Sequence, residues 1–187
     1  MTNISTLKNK NFYLKELVTS DVSDDYLSWV NDPEITRFLE IKHQAFNKSD
    51  LIEFIIDCYK STNKNLWGIY CNKTSKHIGN ISITCDTDLG VFDGGYFIGD
   101  REYWGTSAAF EALTLMMKYG FDYCHMRRII ASAYSNNMSA RFLFHKIGFE
   151  RGARIKESHI CDNLPIDTVI YSMSFDKWTE VNKHLEL

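Results

Sequence analysis

A mixed α/β fold is what the 187 residues predict, and three observations carry that prediction. Residues 66–71, LWGIYC, and residues 77–83, HIGNISI, are two apolar runs either side of a short polar turn, which reads as a hairpin. Residues 91–119 then read as an apolar strand, a polar loop with Gly105, and an amphipathic helix. A strand over residues 127–134 and a helix with Ala140, Leu143, Phe144 and Ile147 at i, i+3, i+4 and i+7 repeat that order. The predicted sequence of elements is strand, helices, three strands, helix, strand, helix, strand. That is a mixed central sheet, with antiparallel strands at the front and a strand–helix–strand unit at the back.

Taken in order, residues 12–17, FYLKEL, form a first strand. Ser20, Asp21 and Ser23 offer caps for a helix whose apolar stripe is Tyr26, Leu27, Trp29 and Val30, because their side-chain oxygens accept the first free amides. Asn31-Asp32-Pro33-Glu34 stops that helix and starts another turn with Pro33 near its beginning. Ser49 or Asp50 caps a helix to about Lys60, with Leu51, Phe54, Ile55 and Cys58 at core spacing; Trp29, Phe38 and Phe54 are expected in the core. Residues 86–89 are a turn, and residues 94–99, GGYFIG, are the strand entering the loop. Gly94 and Gly95 mark either a bulge or a close approach by another segment or a ligand. The next helix turns Ala109, Ala112, Leu113, Met116 and Met117 inward, and Gly148 stands where a left-handed helix stop belongs. Phe149 resumes as strand or loop, residues 168–175 alternate as a last strand, and a short helix from Lys177 closes the chain.

Length suits one domain over residues 1–187, and 44% apolar with 24% charged residues is an ordinary globular balance. A net charge of −3 argues against a nucleic-acid partner, which needs a basic face. Cys58, Cys71, Cys85, Cys124 and Cys161 are odd in number and lack zinc spacing, so free thiols and no metal site are expected. No run reaches the length of a membrane span, and the N-terminus lacks a signal peptide's apolar stretch. A cytoplasmic protein with no membrane partner is the expectation, and a homodimer is compatible with it.

The strand, glycine loop and helix start aim backbone N–H groups at one mouth, which suits a pyrophosphate. It is neither a Walker loop nor GxGxxG. The run Tyr103-Trp104-Gly105-Thr106-Ser107-Ala108-Ala109 followed by Glu111-Ala112-Leu113 resembles the acetyl-CoA pyrophosphate loop and helix of GCN5-related N-acetyltransferases (GNAT), in the branch that includes the ribosomal-protein N-terminal acetyltransferases. Residues 26–34, YLSWVNDPE, the HIGNI run at 77–81, and Asn137-Met138-Ser139-Ala140 leading to Lys146-Ile147-Gly148-Phe149 share the resemblance in family order, from about Phe12 to Phe149.

The resemblance implies the GNAT fold and transfer of acetyl from acetyl-CoA to a primary amine. It places the cofactor against Phe97, Ile98, Tyr103, Trp104, Gly105, Thr106, Ser107, Ala108, Asn137 and Phe144, with backbone N–H groups near Phe97 and Ile98 meeting the oxyanion. Three residues depart from the family pattern. Ser107 brings a side chain where glycine or alanine is usual, Glu102 brings negative charge where glutamine or arginine is usual, and Phe144 lacks the hydroxyl that many members use as general acid. Asp93 is the first candidate for the base, with a solvated turn carboxylate as the alternative reading. His145 is the other titratable candidate, or an exposed structural histidine. Tyr96 and Tyr134 are candidate proton donors, and Asn137 either bonds the pantetheine arm or caps its helix. Arg127, Arg128 and Lys146 are the basic residues nearest the CoA phosphates. The acceptor is a nucleotide-linked amino sugar or, alternatively, a protein N-terminus; a catalytically silent CoA-binding module is the contrasting reading.

Overall fold

One sheet runs through the chain in the computed structural model, which describes residues 5–41 and 44–184. Its strands are β1 (Thr6–Lys8), β2 (Phe12–Glu16), β3 (Lys64–Cys71), β4 (His77–Asp86), β5 (Val91–Ile98), β6 (Arg128–Tyr134), β7 (Glu150–Cys161) and β8 (Leu164–Ser174). They lie in the order β1-β2-β3-β4-β5-β6-β8-β7. Each neighbouring pair is antiparallel except β5 with β6, which is parallel and joined through a helix, as a parallel connection requires.

The helices divide between the two faces. On one lie α4 (Ala108–Lys118), α5 (Met138–Ile147) and α6 (Phe175–Asn182), packed into the main core with Trp67, Ile81, Phe92, Ile129 and Trp178. Helix α4 buries Ala112, Leu113, Leu115, Met116 and Met117 there, the larger side chains contributing about 1.5–3 kcal/mol each. On the other face, α1 (Asp24–Val30), α2 (Pro33–Thr36) and α3 (Lys48–Lys60) cover the β2–β4 side through Tyr26, Trp29, Leu51, Ile55 and Leu66. The part of that face formed by β5, β6 and β8 keeps Ile130 41% exposed. A groove occupies it.

Local chemistry explains the boundaries. Ser23 accepts from Tyr26 N at 3.1 Å to start α1, and Asp32 accepts from Glu34 N at 2.8 Å with Pro33 opening α2. Gly148 ends α5 at φ 100°, in the left-handed region. The cap of α3 differs from expectation: Asn47 accepts from the N–H groups of Ser49 and Asp50 while Asp50 reaches back to Asn47 N, so the helix begins at Lys48. Phe54 is 41% exposed, with Lys64 Nζ 4.9 Å from its ring centre, because it faces outward from α3. Strand β5 begins at Val91, and α6 begins at Phe175 because Ser174 caps it. Strands β1 and β7 are additions to the predicted order. β7 has no apolar alternation to reveal it, since eleven of its residues are exposed or half-buried at the sheet edge and only Cys161 is buried.

Candidate active site

Strand β5 is bonded on one side and open on the other. Gly99 N donates to Ile78 O at 2.8 Å, whereas Gly90 O accepts from Arg127 N at 2.8 Å. The alternation along an antiparallel strand therefore turns the odd-numbered residues of β5 toward β4 and the even-numbered ones toward β6. Among the described residues, β5 and β6 pair at Val91–Arg128 and Phe92–Ile129 and then part. The backbone groups of Gly94, Tyr96 and Ile98 face the resulting gap. Phe97 N–H lies in the register of Asn80 on β4, so Ile98 and Tyr96 are better placed than Phe97 to donate into it.

Gly94 and Gly95 are not a bulge, since β4 and β5 keep register throughout. A Cβ on Gly94 would lie 2.3 Å from Ser82 O and 2.5 Å from Met116 Sδ, so close packing under α4 requires glycine. At Gly95 a Cβ would meet nothing within 4 Å, and the surface beside Asp93 stays open.

Above the gap, residues 104–107 lead into α4. Gly105 sits at φ 73°, which a side chain disfavours, and a Cβ there would project into open space at the mouth. The side chains around it hold the loop in place. Trp104 Nε1 donates to Ile98 O at 2.8 Å, tying the loop to the end of β5, and Arg101 lies over its ring at 5.5 Å. Thr106 Oγ1 donates to Tyr103 O at 2.7 Å and accepts from Ala108 N at 3.2 Å, while Tyr103 packs edge-on against Phe12 at 5.9 Å. The N–H groups of Gly105, Ser107, Ala109 and Phe110 find no partner among the described residues. Four such amides at a helix start are suited to an anion.

Both departures in this loop are turned away from the mouth. Ser107 Oγ donates to Glu111 Oε1 at 2.7 Å, so its side chain runs along the helix. Glu102 is 3.5 Å from Lys76 Nζ, which also holds Asp100 at 2.6 Å, and its side chain is 80% exposed. Glu111 itself is buried and accepts from Asn11 N at 2.9 Å and Asn11 Nδ2 at 2.8 Å, so one carboxylate joins β2's approach, the loop and α4. Its role was unread in the sequence, although the four-residue spacing from Ser107 is the signal that would find it.

Of the basic candidates, Lys146 alone lies by the mouth, with Nζ 4.9 Å from the ring centre of Phe110 in the first turn of α4. Arg127 Nε donates to Leu89 O, and Arg128 Nη1 to Ser172 Oγ. Both lie at the start of β6, at the opposite end of the gap from the α4 mouth, so Lys146 and not these two is the basic residue near it. Asn137 Oδ1 accepts from Ala140 N at 3.1 Å, capping α5, while its Nδ2 has no partner among the described residues. Phe144 is buried, with Phe149 and Tyr171 rings each at 5.1 Å, so that position of α5 supplies packing and no proton.

Asp93 lies in a groove of about 650 Å³ on the face opposite α4, lined by Asn63, Thr84, Asp86, Ile130, Ser132 and Ile170 among others. The carboxylate is exposed along the groove, yet the strands around it displace enough water to push its pKa up, against the lowering effects of the Thr84 hydroxyl and Lys64. Phe97, two strand positions further on this face beyond Gly95, packs against Tyr26 and Trp29 at 6.5 Å.

Past Ser132, Tyr134 donates its hydroxyl to Glu40 Oε1 at 2.8 Å and lies 4.8 Å from the His159 ring. Burial, then Glu40, pushes that phenol's pKa up. Glu40 and His159 come from the segment after α2 and from β7; no local pattern joins them in the sequence. Tyr96, on β5, has its phenol pushed up to about 12 by burial and stays protonated. His145 is exposed on α5 and does not line the groove. Among the described residues no group of three or more His, Cys, Asp or Glu side chains is arranged to hold a metal, and no helix is long and apolar enough to cross a membrane.

The family model described as an acetyltransferase (GNAT) domain matches residues 11–150. The N-acetyltransferase p20 of Bacillus licheniformis, named as uncharacterized, is 24% identical over 173 residues, 91% of this chain and 96% of that one. The ribosomal protein uS5-alanine N-acetyltransferase of Escherichia coli strain K12 is 31% identical over 85 residues, 46% of this chain and 43% of that protein. In fold, the spermidine N-acetyltransferase of Vibrio cholerae, solved with CoA and spermine, superposes with a TM-score of 0.82 at 15% identity, covering 91% of this chain and 99% of that one.

Proposed function

The chain belongs to the GNAT acetyltransferase family and is an acetyl-CoA-dependent N-acetyltransferase, and from that premise we propose that its acceptor is a primary amine presented from the Asp93 groove. One observation carries the reading. Asp93 stands on the open face of the sheet where β5 and β6 part, while the α4 mouth supplies the anion site above the same gap.

The bound thioester supplies an activated acetyl group. Gly105, Ser107, Ala109 and Phe110 hold its pyrophosphate through backbone N–H groups, with Lys146 adding positive charge and Asn137 Nδ2 reaching the pantetheine arm. The Tyr96 and Ile98 N–H groups donate to the acetyl carbonyl oxygen as negative charge develops there. Asp93 accepts the proton of the attacking amine, directly or through one water, and its raised pKa brings it nearer the amine it must deprotonate. Tyr96 returns a proton to the departing sulfur, because the hydroxyl hydrogen of Tyr134 is engaged by Glu40.

Charge favours one class of amine. Among the described residues, Asp86 and Asp93 are the charged side chains that line the groove, with Lys64 close enough to act on Asp93. A nucleotide-linked amino sugar would bring its diphosphate toward those carboxylates, whereas an uncharged or cationic amine, such as a protein N-terminus, meets no repulsion. The silent-module reading loses its support from Ser107 and Glu102, whose side chains point elsewhere. Thiol release from acetyl-CoA is the assay, run with peptides bearing an N-terminal alanine, short diamines, and UDP- and dTDP-linked amino sugars. Turnover is expected on the peptides or diamines; fastest turnover on the nucleotide sugars would reverse the acceptor assignment, and tight binding without turnover on any amine would establish a silent module.

A further inference from the structure

Along β6, Ile130, Ser132 and Tyr134 stand on one face, because alternate residues of a strand share a face, and the first two line the Asp93 groove. Their antiparallel partners on β8 follow the same course. Ser132 lies opposite Ile170, which also lines the groove, and Tyr134 lies opposite Thr168. This face of the sheet therefore runs on from the groove to Tyr134, about 13 Å beyond Ile130 at the usual strand rise.

At that end a carboxylate is held in place. Tyr134 is buried, yet its hydroxyl donates to Glu40 Oε1 at 2.8 Å, and the Glu40 side chain is 78% exposed. His159 Nε2 lies 3.6 Å from the same oxygen. Ser158 Oγ donates to Thr168 Oγ1 at 2.7 Å, and that hydroxyl lies 3.1 Å from His159 Nδ1, an order that turns the Nε2–H toward Glu40. The segment carrying Glu40 is pinned as well: Arg37 Nε donates to Asp162 Oδ2 at 3.2 Å, in the turn between β7 and β8, and Phe38 packs edge-on against Tyr134 at 6.4 Å. An exposed glutamate gains little stability from a fixed position. Fixing it on the sheet does remove the ordering cost of binding a cation. The guanidinium groups of these elements are already paired, Arg37 with Asp162 and Arg154 with Asp167.

Resting on the Asp93 groove as the acceptor side, we propose that Glu40 is a specificity-determining residue that pairs with a second cationic group of the acceptor. That group, an ammonium or guanidinium, sits at a distance from the amine that is acetylated. The acceptor is then a diamine or polyamine, or a peptide whose N-terminus is followed closely by lysine or arginine. The reacting amine gives up its proton at the Asp93 end, whereas the second group keeps its proton and its charge at Glu40. Tyr134 and His159 act through Glu40 as positioning residues.

The test compares matched acceptors on the full chain: a linear monoamine against the diamine of the same length, and an alanine-initiated peptide with norleucine against the same peptide with lysine. In the wild type kcat/KM should favour the acceptor with the second cation in one arm, and that arm names its source. Glu40→Gln, which keeps the side chain's shape, should cut the preference by about threefold to tenfold, through KM rather than kcat. Added salt should shrink the wild-type preference. Tyr134→Phe, which releases Glu40, should cut it less, and Glu40→Lys should turn it toward a peptide with glutamate in place of lysine. Calorimetry of the same acceptors against protein saturated with CoA reads the subsite without turnover. Diamine or lysine-peptide binding that weakens in Glu40→Gln supports the subsite even where no amine is acetylated, an outcome that would count against Asp93 as the base instead. No preference for the second cation in rate or binding, or a preference that Glu40→Gln leaves intact, would overturn the proposal.

Discussion

Toward α4 the sheet offers backbone, and toward the Asp93 groove it offers side chains. The mouth over Gly105 is made of amides that any residue carries, aimed by a helix start and by a glycine at positive φ. The groove is made of particular groups, Asp93, Ser132, Asp86 and Ile130, brought together from β4, β5 and β6. A cofactor shared across a family can be held by geometry that tolerates sequence change, whereas an acceptor must be recognised by groups that differ from chain to chain. The two sides should accordingly fail differently when altered.

The largest effect is expected at Asp93. Asp93→Asn should lower turnover by about 10²–10⁴-fold, the usual contribution of a general base. In the wild type the rate should rise with pH through a pKa above the ordinary carboxylate range, and steady-state profiles of the variant should lack that limb. The stability effect has the opposite sign. A carboxyl whose folded pKa is raised weakens the fold fully above that pKa, and the penalty fades as pH falls toward the unfolded value. Asp93→Asn should therefore melt higher than wild type at neutral pH, with the difference closing in acid; thermal scans across pH check this.

On the other side of the comparison, Gly105→Val should raise the acetyl-CoA Kd by about tenfold to a hundredfold, from roughly 1–3 kcal/mol of strain at positive φ and a blocked approach. Calorimetry reads it, and an unchanged Kd would remove the loop from the site. Glu111→Ala should cost about 3 kcal/mol in urea unfolding, since a buried carboxylate accepting from Asn11 and Ser107 leaves their donors unpaired. Lys146→Ala should raise the acetyl-CoA Kd by about twofold to fivefold, an effect that added salt shrinks.

How much of this was legible depends on whether the cause is local. Gly105, the helix that follows it, Asn137 as a cap and Gly148 as a stop were all readable, because backbone conformation and capping are set within a few residues. The Asn47 cap was missed because Ser49 and Asp50 next to it are equally good cap types. Strand β7 was left open between strand and loop after Phe149 because an exposed edge strand shows no apolar alternation. The long-range partners could not be read at all: Glu40 reaches Tyr134 across ninety-four positions, and Asn11 reaches Glu111 across one hundred. Asp93 was identified through resemblance; its neighbours Ser132, Ile130 and Thr84 follow from sheet register and strand divergence, which composition does not encode.

The division between the two sides is tested most directly by the acetyl-CoA Kd of Asp93→Asn, measured calorimetrically on the same preparation whose turnover is recorded. Cofactor held at the α4 mouth and amine activated in the groove predict a wild-type Kd with turnover lost. A Kd weakened as far as in Gly105→Val, or turnover equal to wild type, would contradict it.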